Sequence, residues 1–173
     1  FAVIAALANT PYQTYLPEFN QLLSFNNYDD AKKIIIKSAK LNWIIFIFFS
    51  FLVILFLPFI SVYLMQSEFY ITQKMLIFMS IYLLLENNHS LFSGFIAAEN
   101  KIPFMKAGVI SGIGVVSLSL IFIYFTELGI WSLLISPALV QLAYNNWKWP
   151  YYIFKKYKIN LGSFRYDETT YSN

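Results

Sequence analysis

The chain has 173 residues, of which 58% are hydrophobic, 20% aromatic and only 12% charged. Soluble domains carry about 25% charged residues, so a water-soluble fold of this composition would expose too many Phe, Ile and Leu side chains. The balance excludes a disordered chain, a nucleic-acid-binding module and an ordinary cytosolic enzyme. It predicts an all-α integral membrane protein that is surrounded by membrane lipid, which is its first expected partner. Because there is no Cys, a disulfide and a thiolate metal site are excluded as well.

Residues 1–10 are expected to be the end of a preceding transmembrane helix. They are apolar and uncharged, begin with Phe1, and lack the basic start of a signal peptide. Residues 11–40 differ, and we expect a cytoplasmic interfacial amphipathic segment there. Pro11 and Pro17 are expected to interrupt the incoming helix.

Two signals support the interfacial segment. Apolar residues recur at helical spacing, as in an amphipathic helix lying in the headgroup region: Leu16, Phe19, Leu22 and Leu23. Asp29 and Asp30 then indicate the start of another helix, with Asp29 spaced to pair with Lys33. That helix is expected to run directly into the first membrane span.

Four stretches are long enough to cross a hydrocarbon core about 30 Å thick. They are residues 41–64, 75–98, 104–126 and 129–149. Their apolar runs are continuous rather than alternating, which predicts helices instead of barrel strands. Only the second stretch carries a charge near its middle, Glu86.

The connections between these spans alternate in charge, which predicts orientation. Glu68 and Glu127 mark the first and third connections, whereas almost all basic residues fall on the other side, which is therefore cytoplasmic. Lys74 is the exception and can reach the outer interface. Residues 150–173 are expected to form a short cytoplasmic tail without a domain of its own. The basic residues on the inner side are Lys32, Lys33, Lys37, Lys40, Lys101, Lys106, Lys148, Lys155, Lys156, Lys158 and Arg165.

The second span carries a group of polar residues at bilayer depth. Small and polar residues share one helical face: Glu86, His89, Ser90, Ser93, Gly94 and Ala97. An ionisable group in the membrane is costly unless it faces protein or water, so Glu86, the adjacent Asn87, His89, Ser90 and Ser93 are candidates for a substrate or ion pathway. Glu86 would then be a proton or cation site. The alternative is a structural role, in which these groups bond to neighbouring helices.

Catalytic and metal-binding motifs are missing from the sequence. Glu86-x-x-His89 matches half of a di-iron signature, but that site needs a second such pair and two further Glu residues, and the chain has one His. Asn88-His89-Ser90 spells a glycosylation acceptor that would lie inside the bilayer. We therefore expect no enzymatic activity, no metal and no cofactor.

The last two spans contain further small and polar residues. Gly108 and Gly112 form a GxxxG pattern, which lets two helices approach closely, either within one bundle or in a homodimer. In the fourth span Gln141 and Asn145 contribute a thinner polar face, with a kink expected at Pro137. Gln141 and Asn145 are therefore pathway candidates too, although plain helix packing explains them equally well.

Three stretches of the sequence resemble one transporter family. Residues 16–43, LPEFNQLLSFNNYDDAKKIIIKSAKLNW, look like the cytoplasmic stretch before the ninth helix of bacterial polysaccharide flippases. These flippases belong to the multidrug/oligosaccharidyl-lipid/polysaccharide exporter superfamily. Residues 91–114 (LFSGFIAAENKIPFMKAGVISGIG) are similar to the tenth helix, inner loop and eleventh helix. Residues 129–157 (GIWSLLISPALVQLAYNNWKWPYYIFKKY) are similar to the twelfth helix and its basic exit.

The resemblance implies a function in O-antigen or capsule export at the bacterial inner membrane. Such proteins have about twelve helices in two lobes and move a lipid-linked oligosaccharide, of the undecaprenyl diphosphate type, by alternating access. This chain would supply the last four helices of the second lobe. Its partners would be that cargo and the N-terminal lobe of the same protein.

Other classes of membrane protein stay open at this stage. A multidrug extruder of the same superfamily is the nearest alternative. A membrane enzyme of envelope polysaccharide assembly, such as a polymerase or acyltransferase, would need a larger outer loop or a His-containing site at a membrane face. A structural membrane subunit is the third alternative, and the charged second span disfavours it.

Overall fold

The structure is a computed structural model, and it describes residues 1–65 and 72–164. Across these two ranges every regular element is helical, which confirms the predicted all-α class. The predicted connection at Glu68 and the end of the tail from Arg165 onwards lie outside the described residues. The elements are α1 (Ala2–Ala8), α2 (Thr10–Ser24), α3 (Tyr28–Met65), α4 (Gln73–Ala98), α5 (Phe104–Phe125), α6 (Trp131–Ala143), α7 (Asn145–Lys156) and a 3-10 turn (Leu161–Phe164).

Two helices in the described part are both long and apolar enough to cross a membrane. They are Tyr28–Ile60 within α3 and Phe104–Phe125, which is α5. Only 11% of the most apolar stretch of α3 and 6% of that of α5 is buried against the rest of the chain. α4, with 26 residues, is about 39 Å long, but its mid-helix polar residues lower its hydropathy.

α2 and α3 form an antiparallel hairpin, which differs from the single interfacial segment expected over residues 11–40. The chain reverses over residues 25–27, where Asn26 adopts a left-handed conformation with φ 56°. Pro17 lies inside α2 and does not interrupt it. Pro17 and Gln13 are both exposed, so the Gln13 carbonyl that loses its donor is not buried inside the bundle.

α3 begins as predicted and continues without a break through the expected boundary at residue 41. Asn27 caps its first turn, because its Oδ1 accepts from the Asp30 amide at 3.2 Å while its Nδ2 donates to Asp30 Oδ2 at 2.7 Å. Within this turn Lys33 pairs with Asp30 at 2.7 Å rather than with Asp29. Lys33 and Asn27 together hold the pKa of the Asp30 carboxyl below its usual range.

The predicted fourth span, residues 129–149, contains a helix break rather than one continuous helix. α6 ends at Ala143, and the chain leaves helical geometry at Tyr144, with φ −143° and ψ −58°. Pro137, the expected kink, lies inside α6. At this break the Ala143 carbonyl accepts a hydrogen bond from the Trp147 indole N–H at 3.2 Å.

Residues 150–164, the first part of the predicted cytoplasmic tail, pack against the bundle with some of their side chains. Ile153, Tyr157 and Ile159 are buried. The ring of Phe164 stacks on Trp43, with 5.4 Å between ring centroids. The segment therefore covers the end of the bundle at which α3 begins and α4 ends.

The best packed part of the chain lies where α2, the first half of α3, the second half of α4 and α7 meet. Its fully buried side chains include Phe19, Ile35, Phe92, Phe95 and Ile153. A smaller cluster joins α1 to the middle of α3. Away from this packed part, the second half of α3 and most of α5 expose apolar side chains. The chain therefore combines a well packed half with a half whose apolar side chains are exposed.

The glycine contacts differ from those expected. No atom of the described residues lies within 4 Å of a Cβ built at Gly108 or Gly112, so these two residues do not bring helices together within this part of the chain. Gly114 contacts Val140 of α6 instead, at 3.3 Å. At Gly94 an added Cβ would lie 2.7 Å from the end of the Tyr12 ring. The closest approach that needs glycine is therefore between α2 and α4.

Candidate functional site

The polar residues of α4 divide between two sides of the helix. Asn87 is buried on the side that meets α1 and α3. His89 and Ser93 bond to each other, with 3.3 Å between Nδ1 and Oγ, on the side that meets α7. Ser90 is exposed and joins neither group. Of the predicted polar face, His89 and Ser93 lie together and Ser90 is exposed, while Asn87, predicted beside that face, belongs to a separate cluster.

Three asparagines from different elements form a closed ring of hydrogen bonds, the asparagine triad of Asn9, Asn42 and Asn87. Asn9 Nδ2 donates to Asn87 Oδ1 at 2.8 Å, and Asn87 Nδ2 donates to Asn42 Oδ1 at 2.7 Å. Asn42 Nδ2 closes the ring on Asn9 Oδ1 at 3.1 Å and also donates to the Ala8 carbonyl at 2.9 Å. The triad therefore fixes α4 to α3 and to the link between α1 and α2.

The position of the triad follows from a local break in helical structure. Asn9 separates α1 from α2, and Pro11 near the start of α2 has no N–H to donate to the preceding turn. The amide of Asn42 supplies a donor at this break, and Asn42 itself is fully buried. A buried amide needs such partners, because each polar group left unpaired costs about 1–3 kcal/mol.

A second group, the Asn145 cluster, lies at the other break, between α6 and α7. The amide of Asn145 donates to Ser111 Oγ of α5 at 2.8 Å and to Gln141 Oε1 of α6 at 2.6 Å. Its Oδ1 accepts from the Trp149 indole at 3.2 Å. His89 of α4 lies close to the Asn145 backbone. Four of the predicted candidates are brought together here: His89, Ser93, Gln141 and Asn145.

Two contacts of α4, one with α6 and one with the start of α7, bound a region here named the α4–α6 seam. At one end the rings of Phe78 and Trp131 meet at 5.8 Å. At the other end His89 reaches Asn145. Glu86 and Ser132 occupy sequence positions between these contacts, on α4 and α6 respectively.

Several buried polar atoms have no hydrogen-bond partner among the described residues. In and beside this region they are Ser80 Oγ, Glu86 Oε2, Ser132 Oγ and both amide atoms of Asn146; Ser38 Oγ and Ser50 Oγ of α3 are further examples. Ser132 is fully buried and Asn146 is 6% exposed. Groups of this kind are rare in folded proteins and indicate a place where water or a ligand completes the bonding.

At the inner end of α4, Glu99 joins α4 to the end of α7. Its side chain is 6% exposed and forms an ion pair with Lys156. Tyr157 donates its hydroxyl to Glu99 Oε1 at 2.7 Å. Burial raises the pKa of the Tyr157 hydroxyl, and the bond to Glu99 raises it further. Lys101 lies 4.0 Å from the same carboxylate.

Sequence reasoning missed Asn9, Asn42 and Asn146. Each stands in or beside an apolar run, and this isolation is the signal that could have drawn attention to them. In the described ranges no group of three His, Cys, Asp or Glu side chains is placed to hold a metal ion. The arrangement can instead donate and accept hydrogen bonds along α4, with Glu86 as the one carboxyl group. In comparisons with protein-family models, curated proteins and solved structures, nothing matches this chain.

Proposed function

We propose that the chain is part of a multi-pass membrane transporter in which the α4–α6 seam lines a polar pathway. The observation that carries this proposal is the set of buried polar atoms without partners at Glu86, Ser132 and Asn146. A fold retains such atoms at a cost of about 1–3 kcal/mol each unless water or cargo supplies the missing bonds. Since no covalent chemistry is required, the function is transport rather than catalysis.

The two helix breaks support the same proposal. Transporters place their binding sites beside interrupted helices, because backbone and side-chain polar groups become available there. Here the breaks at Asn9 and Tyr144 both lie against α4, through Asn87 on one side and His89 on the other. α4 thus passes between two interrupted segments.

The cargo we propose is a lipid-linked oligosaccharide, moved by alternating access. This part of the proposal rests on the resemblance to polysaccharide flippases, which also implies a further lobe of six helices as partner. Amide and hydroxyl groups such as those of Asn146 and Ser132 can bond to sugar hydroxyls in either direction. The lipid tail of the cargo would stay in the bilayer.

We further propose four crossings of a bacterial inner membrane with the Lys-rich ends in the cytoplasm. α3, α4 and α5 are each long enough to cross, whereas α6, with 13 residues, is about 20 Å long. The fourth crossing, over α6, is therefore shorter than the other three. Because the chain has no native Cys, single cysteines at Asn100 and Leu128 give a clean test. Labelling from outside is expected at Leu128 only, and labelling at Asn100 would contradict the topology.

The pathway is tested by Glu86→Gln in the complete protein. The substitution keeps size and hydrogen bonding but removes the ionisable group. Expression should change little, whereas export should fall and lose its dependence on pH. Glu127→Gln, in the exposed connection between α5 and α6, is the matched control and should export normally. If Glu86→Gln exports as well as the wild type across pH, Glu86 has a structural role only.

A further inference from the structure

α7 has one buried and one exposed side, with different chemistry on each. Its buried residues face the bundle: Asn145, Asn146, Trp149, Pro150 and Ile153. Trp147 and Tyr151 on the other side are 52% and 58% exposed. Residues three, four and seven apart share a helix face, which makes the exposed side one continuous surface, here named the α7 stripe. The α7 stripe consists of Tyr144, Trp147, Lys148, Tyr151, Lys155 and, just after the helix, Lys158.

The positive charge of the α7 stripe is not neutralised by the described residues. α7 contains no Asp or Glu. Lys148 lies over the Tyr144 ring, 5.8 Å from its centroid, and none of Lys148, Lys155 and Lys158 forms an ion pair with a described side chain. Lys156, in contrast, lies outside the α7 stripe and forms an ion pair with Glu99.

Exposed apolar residues precede the α7 stripe on α6. Leu139 and Leu142, just before the break, are 47% and 53% exposed. The chain therefore exposes aliphatic side chains on α6 and interleaved aromatic and basic side chains on α7. A lipid leaflet accommodates all three kinds, in its hydrocarbon, at the headgroup boundary, where Trp and Tyr are enriched, and at the phosphates that attract Lys.

We propose that the α7 stripe binds the headgroups of anionic phospholipids, with α7 lying along the inner surface of the membrane. Lys148 and Lys155 would contact phosphate, while the rings of Trp147 and Tyr151 occupy the boundary between headgroups and acyl chains. The proposal rests on the membrane insertion proposed above. The half-exposed aromatic rings between the lysines match the headgroup boundary, where Trp and Tyr are enriched.

The test uses the full chain reconstituted in phosphatidylcholine vesicles that contain brominated phosphatidylglycerol or, in parallel, brominated phosphatidylcholine. Bromine quenches nearby Trp fluorescence, and the signal of Trp147 is the difference between the wild type and Trp147→Phe. Quenching should favour the anionic lipid by about fivefold or more, since each lysine near an anionic surface contributes about that factor. Lys148→Gln/Lys155→Gln should bring the ratio close to one. The matched control, Lys74→Gln/Lys106→Gln, removes the same charge outside the α7 stripe and should leave the ratio unchanged.

Four results would overturn the proposal. Equal quenching of Trp147 by both lipids would show contact without recognition of anionic headgroups, although membrane insertion would stand. An equal loss of preference in the Lys74/Lys106 control would show that total charge, and not the α7 stripe, attracts the lipid. If no lipid quenches Trp147 while Trp131 is quenched, the α7 stripe faces water or a protein partner. If neither residue is quenched, the insertion proposal fails together with this one.

Discussion

Replacing Asn42 by Ala should destabilise the bundle more than any change at an exposed asparagine. Asn42 is fully buried and takes part in three hydrogen bonds, to Asn9, Asn87 and the Ala8 carbonyl. In Asn42→Ala the Asn87 amide loses its acceptor and the Asn9 oxygen loses its donor. Of the ring, only the bond from Asn9 to Asn87 would then remain at the break between α1 and α2.

The magnitude follows from the bonds that are lost. Hydrogen bonds inside membrane proteins contribute about 0.6 kcal/mol on average and at most about 1.7 kcal/mol. Three such bonds, together with the small cavity left by the truncated side chain, give about 2–4 kcal/mol for Asn42→Ala. Asn87→Ala removes two bonds of the ring and should cost less. Because one bond is common to both changes, the double variant should be less destabilised than the sum, by about 1 kcal/mol.

The assay is unfolding of the full chain in detergent micelles, followed by circular dichroism, for both single variants and the double variant. Asn20 is exposed on α2 and provides the control, so Asn20→Ala should change stability by less than about 0.5 kcal/mol. The Asn42/Asn20 double variant should be additive. Strictly additive effects of Asn42→Ala and Asn87→Ala would refute the ring, because they would mean that the two amides act independently.

Two further predictions concern close contacts at the inner half of the bundle. Gly94→Ala should destabilise the chain by about 1–3 kcal/mol, because the added Cβ would lie 2.7 Å from the end of the Tyr12 ring. Gly112→Ala is the control and should be neutral or stabilising, because nothing lies within 4 Å of its Cβ. Equal melting temperatures of the two variants would contradict this prediction. Tyr157 should make stability fall as the pH rises above its ordinary pKa of 10.0, because the folded chain keeps the proton that the unfolded chain releases. Tyr157→Phe should weaken that decline, and an unchanged stability profile above pH 10 would argue against the raised pKa.

Local signals in the sequence were sufficient for part of the fold. Continuous apolar runs are read from neighbouring residues alone, so the all-α class and the apolar helices α3 and α5 could be predicted. The break at Tyr144 could not, since its stabilisation comes from Trp147 and from His89 on another helix. The sequence indicated Pro137 as the position of the kink, but that proline lies inside α6, which continues beyond it to Ala143.

The site shows the same division between local and long-range information. The cluster from Glu86 to Ser93 was visible because polar residues adjoin one another in an apolar context. Its partners Asn9 and Asn42 were not identified, because a hydrogen bond between residues 33 positions apart leaves no periodic pattern. Likewise, GxxxG spacing identifies small residues but not the face on which another helix lies, and the contact at Gly114 depends on the position of α6.

The length of α3 has a mechanical consequence. Its 38 residues make a rod about 57 Å long, nearly twice the roughly 30 Å of hydrocarbon in a bilayer. Lys32, near one end, donates to the Lys158 carbonyl at 2.9 Å and so links the rod to the end of α7. A tilt of about 10° around the middle of such a rod displaces its two ends by about 5 Å in opposite directions. A displacement of the end held by Lys32 would therefore move the far end of α3 in the opposite direction, as long as the helix stays straight at Pro58, which lies inside it.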